Sequence, residues 1–120
     1  MQILSNNHDC VFCKIIDGEI PSKKVYEDEG IIAFHDIAPN APVHVLVIPK
    51  VHISSLNFVN EGNSKLLADI MILIPKLAKK LNVHESGYRV VVNCGNDSGM
   101  AVEHLHFHIL GGRPLPQKLA

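Results

Sequence analysis

His104, His106 and His108 alternate with Leu105, Phe107 and Ile109, and the run closes on Leu110. Strict alternation is the two-residue period of a half-buried strand. The three imidazoles then share one face, successive ones roughly 6.6 Å apart at ~3.3 Å of rise per residue. A helix would scatter them around its circumference. A polar sheet face accounts for one such histidine; three in register, over a fully apolar opposite face, point to chemistry. Imidazole offers two kinds. Neutral, it is the commonest protein ligand for zinc and copper. Unprotonated and oriented by its neighbours, it is a nucleophile. Asn93-x-Gly95 and Ser98-Gly99 lie just before the row, and glycine lets backbone N–H groups approach an anion closely. An imidazole nucleophile beside an amide-lined anion pocket suits transfer at phosphorus, with His44 as a further donor. Without the histidines, that loop would read as a plain connection.

Cys10 and Cys13 form a second constellation, in Cys-x-x-Cys spacing. Zinc requires four tetrahedral ligands, and two thiolates fill only two positions. His52 and His104 are the candidates to complete the set. A pair without metal is the alternative. A redox pair is the weaker reading, because no thioredoxin-like βαβ pattern surrounds the cysteines.

The elements that must position these groups can be read in outline. At 120 residues and 13.2 kDa the chain is one domain with a core of its own, 47% hydrophobic and 19% charged. The formal net charge of −1, without a Lys/Arg cluster, argues against polymeric nucleic acid as a partner. Residues 1–9 are polar and read as a flexible N-terminus with no signal peptide, and no apolar run reaches membrane-spanning length. The expectation is a cytoplasmic protein with Cys10, Cys13 and Cys94 reduced.

Cys10 to Gly18 reads as a short helix. Strands are predicted at Lys24 to Asp28, Ile31 to Ile37, Val43 to Ile48, Tyr88 to Asn93 and Glu103 to Leu110, with turns at Glu29-Gly30 and Ala38-Pro39-Asn40-Ala41-Pro42. Between Asn63 and Leu81 a long helix carries the apolar stripe Leu67, Ile70, Met71, Ile74, Leu77, Ala78 and Leu81, with Pro75 inside it expected to introduce a kink. Sequence-adjacent strands with two helices imply an antiparallel sheet covered on one side, an α+β domain over residues 10–120.

The run His104 to Leu110 resembles the His-φ-His-φ-His-φ-φ signature of the histidine-triad (HIT) superfamily of nucleotide hydrolases and transferases. Likeness extends from Val11 to Leu115. Phe12-Cys13-Lys14-Ile15-Ile16, Ala33-Phe34-His35-Asp36-Ile37, His44-Val45-Leu46-Val47-Ile48-Pro49-Lys50, Tyr88-Arg89-Val90-Val91-Val92-Asn93 and Gly111-Gly112-Arg113-Pro114 are similar to its Hint branch of purine nucleoside phosphoramidases. The resemblance implies a HIT-like fold: a five-stranded antiparallel sheet, one long and one short helix, and two sheets joined in a homodimer. It also implies hydrolysis of purine nucleoside phosphoramidates at the P–N bond, and of aminoacyl-adenylate-type substrates, through a nucleotidyl-histidine and releasing AMP or GMP. A dinucleoside polyphosphate hydrolase, or a nucleotide-binding module with little turnover, are the alternatives.

Carried over by position, the resemblance makes His106 the nucleophile and His108 the group that holds and polarises it, with His44 and His104 completing the catalytic set. His44 and Asn93 contact phosphate and ribose, and Asp36 accepts the ribose hydroxyls. Val11, Phe12, Ile15, Phe34, His35, Ile37 and Leu46 match the base slot. Gly99, Met100 and Ala101 match the segment beside the leaving group. Met100 stands where the family usually has Gln, and Ala101 where some members have Ser, so leaving-group preference is the property these departures touch. In bacterial Cys-x-x-Cys members the residues matching Cys10, Cys13, His52 and His104 form a structural zinc site, and no catalytic cofactor is implied.

Overall fold

The computed structural model describes residues 9–117. Of the segment 1–9 expected to be flexible, 1–8 lie outside the described residues, as do 118–120 at the end of the expected domain.

The first helix, α1 (Val11–Ile16), is capped by Cys10, whose Sγ accepts from the Cys13 N–H at 3.3 Å. Gly18, at φ +81, turns the chain out of it. Strands β1 (Lys24–Glu27) and β2 (Ile31–His35) form a hairpin in which Asp28 Oδ1 accepts from both the Gly30 and Ile31 amides at 2.8 Å. β2 stops two residues short of the predicted Ile37, because Asp36 Oδ1 takes the Ala38 N–H and bends the chain. β3 (Val43–Pro49) is the middle strand and runs one residue past its predicted end.

The long helix α2 (Ser64–Lys80) continues through Pro75 and ends in a Schellman arrangement. Asn82 adopts φ +61 while the Asn82 and Val83 amides reach back to the Lys79 and Ala78 carbonyls. Its buried face is Ile70, Leu73, Ile74, Leu77 and Ala78. Met71, assigned from the stripe, is 48% exposed, and Leu73 takes the core position instead. A stripe defined at helical spacing leaves its flanks undetermined until a sheet is laid against it.

β4 (Tyr88–Val91) and β5 (Phe107–Gly111) complete a five-stranded antiparallel sheet in the order β1-β2-β3-β5-β4. Both are shorter than predicted. The correction matters most for β5, which starts at Phe107, so His104 and His106 precede the strand. The cause lies in β3: its ladder with β5 ends at Val47–Phe107, and the Leu105 amide instead bonds the Ile53 carbonyl in the segment after β3.

The sheet separates two apolar clusters. On one face Val45, Val47, Phe107 and Ile109 pack with Ile70, Ile74 and Leu77 of α2. At about 1.5–3 kcal/mol for each large aliphatic side chain buried, this layer carries most of the apolar stabilisation. On the other face Ile32, Phe34, Leu46 and Ile48 meet the short α1, through Phe12, Cys13 and Ile15, with Ile20 and Val102 packed at the margin. That thinly covered face is where the histidines stand.

Candidate functional site

His44 sits on β3 on the same face as Leu46, and His108 on β5 lies diagonally across from it, since Leu46 pairs with His108 and His44 with Leu110. His106, just before β5, brings its ring centroid to 4.9 Å from that of His108. Phe12 of α1 lies edge-on to His106 at 5.0 Å and to His104 at 5.9 Å. The predicted row therefore shares one side of the sheet, although only its last member belongs to a strand.

Backbone groups fix which nitrogen of each ring carries its proton. His106 Nδ1 lies 2.6 Å from the His104 carbonyl, which only accepts, so Nδ1 holds the hydrogen and Nε2 keeps its lone pair. The Asn40 amide only donates, and it points at His44 Nδ1 from 3.0 Å. The His44 proton is thereby placed on Nε2, 2.8 Å from His108 Nδ1 and 3.5 Å from Asp36 Oδ2. His108 accepts at Nδ1 and so carries its own proton on Nε2. That atom is buried and has no hydrogen-bond partner among the described residues. A free imidazole lone pair and a free, buried N–H donor thus stand side by side. Burial holds His44 and His106 below the ordinary histidine range against the pull of Asp36, and drives His108 down to about 4, with His106 and His44 adding to the effect. All three rings are neutral at neutral pH.

Asp36, His35, Ile37 and His44 line an open cavity of about 710 Å³ with Pro21, Ser22, Lys23, Pro39 and Pro42. Ile37 is 97% exposed at its rim. Phe12, Ile15, Phe34 and Leu46 are buried together, the Phe12 and Phe34 rings edge-to-face at 5.8 Å, while Val11 is exposed. Between β4 and His104, Asn93 and Met100 are half-buried, and Gly95 and Gly99 take φ +85 and +82. Ala101 lines a different, smaller cavity of about 330 Å³, together with Cys10, His52 and Glu103.

The second constellation assembles as well. Ligand atoms of Cys10, Cys13, His52 and His104 all lie within 4.8 Å of one another. His52 Nδ1 is 3.3 Å from Cys13 Sγ, and His104 Nδ1 is 3.4 Å from Cys10 Sγ and 3.6 Å from Cys13 Sγ. Zn–S and Zn–N bonds of about 2.3 and 2.0 Å in a tetrahedron place S and N about 3.5 Å apart, so the set fits zinc. The outer nitrogens agree. His104 Nε2 donates to the Pro49 carbonyl at 2.8 Å, which leaves its Nδ1 lone pair aimed at the thiols, and His52 Nε2 faces Ser54 Oγ at 3.4 Å, a hydroxyl able to accept its proton. Asp36, His44 and His108 are equally close-set, but the proton on His44 Nε2 points into that cluster and suits a hydrogen bond rather than a cation.

The groups missed from the sequence are mostly backbone: the Asn40 amide and the Pro49 and His104 carbonyls. The side-chain supports missed are Ser54 and, on the polar side of the cavity, Pro21, Ser22 and Lys23. Only Pro49, the last residue of β3, carried a signal, as a strand stop that leaves its carbonyl available.

The profile of the HIT domain matches residues 17–115. A purine nucleoside phosphoramidase of Escherichia coli (strain K12) is 41% identical over 112 residues, 93% of this chain and 94% of the relative. An uncharacterized HIT-like protein of Buchnera aphidicola subsp. Baizongia pistaciae is 47% identical over 105 residues, covering 88% and 94%. Among solved structures, a HIT family hydrolase from Clostridium thermocellum is similar with a TM-score of 0.92 and 49% identity, covering 96% of this chain and 100% of that one. A histidine triad protein from Clostridium difficile has a TM-score of 0.90 and 46% identity, covering 95% and 99%.

Proposed function

The chain belongs to the HIT family, and on that premise we propose that it is a hydrolase cleaving the P–N bond of purine nucleoside phosphoramidates and, in aminoacyl-adenylate-type substrates, the corresponding P–O bond. One observation carries this reading: His106 Nε2 is held with its lone pair free beside the unpartnered, buried His108 Nε2–H. In the first step His106 Nε2 bonds to the α-phosphorus and the P–N bond breaks, the amine taking a proton from solvent as it leaves. Water then gives its hydroxyl to phosphorus and its proton back to solvent, the P–Nε2 bond breaks, and AMP or GMP departs. His108 donates to a phosphoryl oxygen as negative charge builds there, a role that needs its N–H in place before the reaction. His44 fixes that N–H, and Asn93 with the amides of Gly99, Met100 and Ala101 completes the phosphate and leaving-group surroundings.

Asp36 takes the ribose hydroxyls; a carboxylate has acceptor sites beyond those already used by Ala38 and His44. The base lies along Val11, Phe12, Ile15, Phe34, His35, Ile37 and Leu46. Cys10, Cys13, His52 and His104 hold a structural zinc, whose four protein ligands leave no open position for substrate. His104 thus joins the catalytic set through its carbonyl rather than its ring.

The protein works as a cytoplasmic homodimer on this reading. Val90 on the edge strand β4 is 40% exposed and Met71 on α2 is 48% exposed, apolar side chains suited to contact with a second copy. Cys10, Cys13 and Cys94 form no disulfide among the described residues, and no helix among them is long and apolar enough to cross a membrane. Release of AMP from an adenosine phosphoramidate, measured against a diadenosine polyphosphate at equal concentration, tests the proposal. Preference for the diadenosine substrate, or no turnover of either, would refute it.

A further inference from the structure

The proton positions at the site depend on one exposed turn. The Asn40 amide sets the tautomer of His44, yet Asn40 lies on the surface between Pro39 and Ala41. The chain leaving β5 is fitted against this turn in two ways. Gly112 has φ +94, and a Cβ built there would stand 2.9 Å from Pro42 Cβ and 3.4 Å from the Val43 nitrogen. The backbone after β5 is therefore seated directly on 42–43, where no side chain fits. The next residue, Arg113, donates from Nη2 to the Asn40 carbonyl at 2.9 Å and from Nη1 to the Pro114 carbonyl at 3.2 Å. One arm of the guanidinium grips its own chain and the other grips the turn.

We propose that Arg113 is a positioning residue for the paired imidazoles: by holding Asn40 it keeps the amide that assigns Nε2–H to His44 and leaves His108 with a donor facing the site. The links run without a gap from Arg113 Nη2 to Asn40, from the Asn40 amide to His44 Nδ1, and from His44 Nε2 to His108 Nδ1. They end on the buried, unpartnered His108 Nε2. If the turn is released, His44 Nδ1 loses its donor and is free to take the proton. His108 Nδ1 then faces a lone pair, and its own proton moves to that side. The His108 Nε2 that met an anion as a donor now meets it as an acceptor. The proposal rests on the reading of His106 and His108 as the reacting pair.

Arg113→Met keeps the apolar stem and removes the donors, and Arg113→Lys restores a donor. In the full-length protein, Arg113→Met should lower kcat for an adenosine phosphoramidate roughly tenfold with KM little changed, and Arg113→Lys should recover most of the loss. Nitrogen-15 spectra of the imidazoles should show His44 and His108 each as a single Nε2–H tautomer in the wild type and as mixtures in Arg113→Met. A purely structural arginine would not move those resonances. Gly112→Ala, which presses on Pro42, should mix the same tautomers. An Arg113→Met protein with kcat within about twofold of wild type and unmixed tautomers overturns the proposal. Should the wild type fail to turn over any phosphoramidate, the functional reading fails, and the nitrogen spectra of Arg113→Met still decide this one.

Discussion

The Cys10–Cys13–His52–His104 cluster and the Asp36–His44–His108 cluster stand on one face of one sheet, each with its ligating atoms drawn tightly together. They differ in the direction of a backbone group behind a ring. Behind His104 is a carbonyl, Pro49 O, which claims a proton and turns a lone pair inward. Behind His44 is an amide, Asn40 N–H, which claims a lone pair and turns a proton inward. The first arrangement suits a metal ion; the second passes a hydrogen bond to His108 and on to the site. His106 lies between them and takes its orientation from the backbone of the first cluster, through the His104 carbonyl. Close-set histidines therefore do not announce their role. Their outer nitrogens do.

The sharpest break is at the junction. His106→Asn should lower turnover at least ~1,000-fold while the melting temperature stays within a few degrees, because the nucleophile acts only in the chemical step. Steady-state kinetics with calorimetry checks both halves, and residual activity within tenfold of wild type would remove His106 from the centre. The next largest effect is expected at the cysteine end. Protein purified without chelator should carry about one zinc per chain by elemental analysis, and Cys10→Ser should lose it along with roughly 10 °C of thermal stability. Phosphoramidase activity should persist at temperatures where that variant stays folded. His44→Ala, by contrast, should keep its zinc.

Smaller effects sharpen the histidine end. Asp36→Asn should weaken binding of a ribonucleotide roughly tenfold and of its 2′-deoxy analogue much less, because a charge-assisted contact to hydroxyls is lost; calorimetric titration of both ligands decides it. Acid should act through His108. Its pKa is about 4 in the fold against an ordinary 6.5, so the unfolded chain binds a proton first as pH falls. Its contribution is complete above pH 6.5 and is lost between 6.5 and about 4. We expect wild-type melting temperature to drop several degrees between pH 7 and 5, and His108→Asn to drop less. Comparing the two slopes removes the shared effect of zinc release.

Much of this was legible in the chain. The alternation of His104 to Ile109 placed the imidazoles on one side, and the spacing of Cys10 and Cys13 with the two partner histidines named a cluster that the fold assembles. The family likeness on Phe12 to Pro114 and the α+β sheet also held. What stayed hidden was set by groups every residue possesses. No side-chain pattern distinguishes the amide of Asn40 from any other amide. Nor does the sequence say that Leu105 spends its N–H on Ile53 and so delays β5 to Phe107. Met71 and Leu73 were exchangeable on a helical wheel, and the sheet chose between them.

β3 answers to both faces at once. Val43, Val45 and Val47 point toward the layer under α2, while His44, Leu46 and Ile48 point toward the site. Tolerance to substitution along this strand should therefore beat with a period of two. The part-buried Val43 should accept Ile or Leu, whereas Val45 and Val47, fully buried, should accept only apolar side chains of like volume. The intervening positions should resist change in proportion to their nearness to His108. A scan of every substitution from Val43 to Ile48 would then record, in survival counts alone, which side of a single strand faces the chemistry.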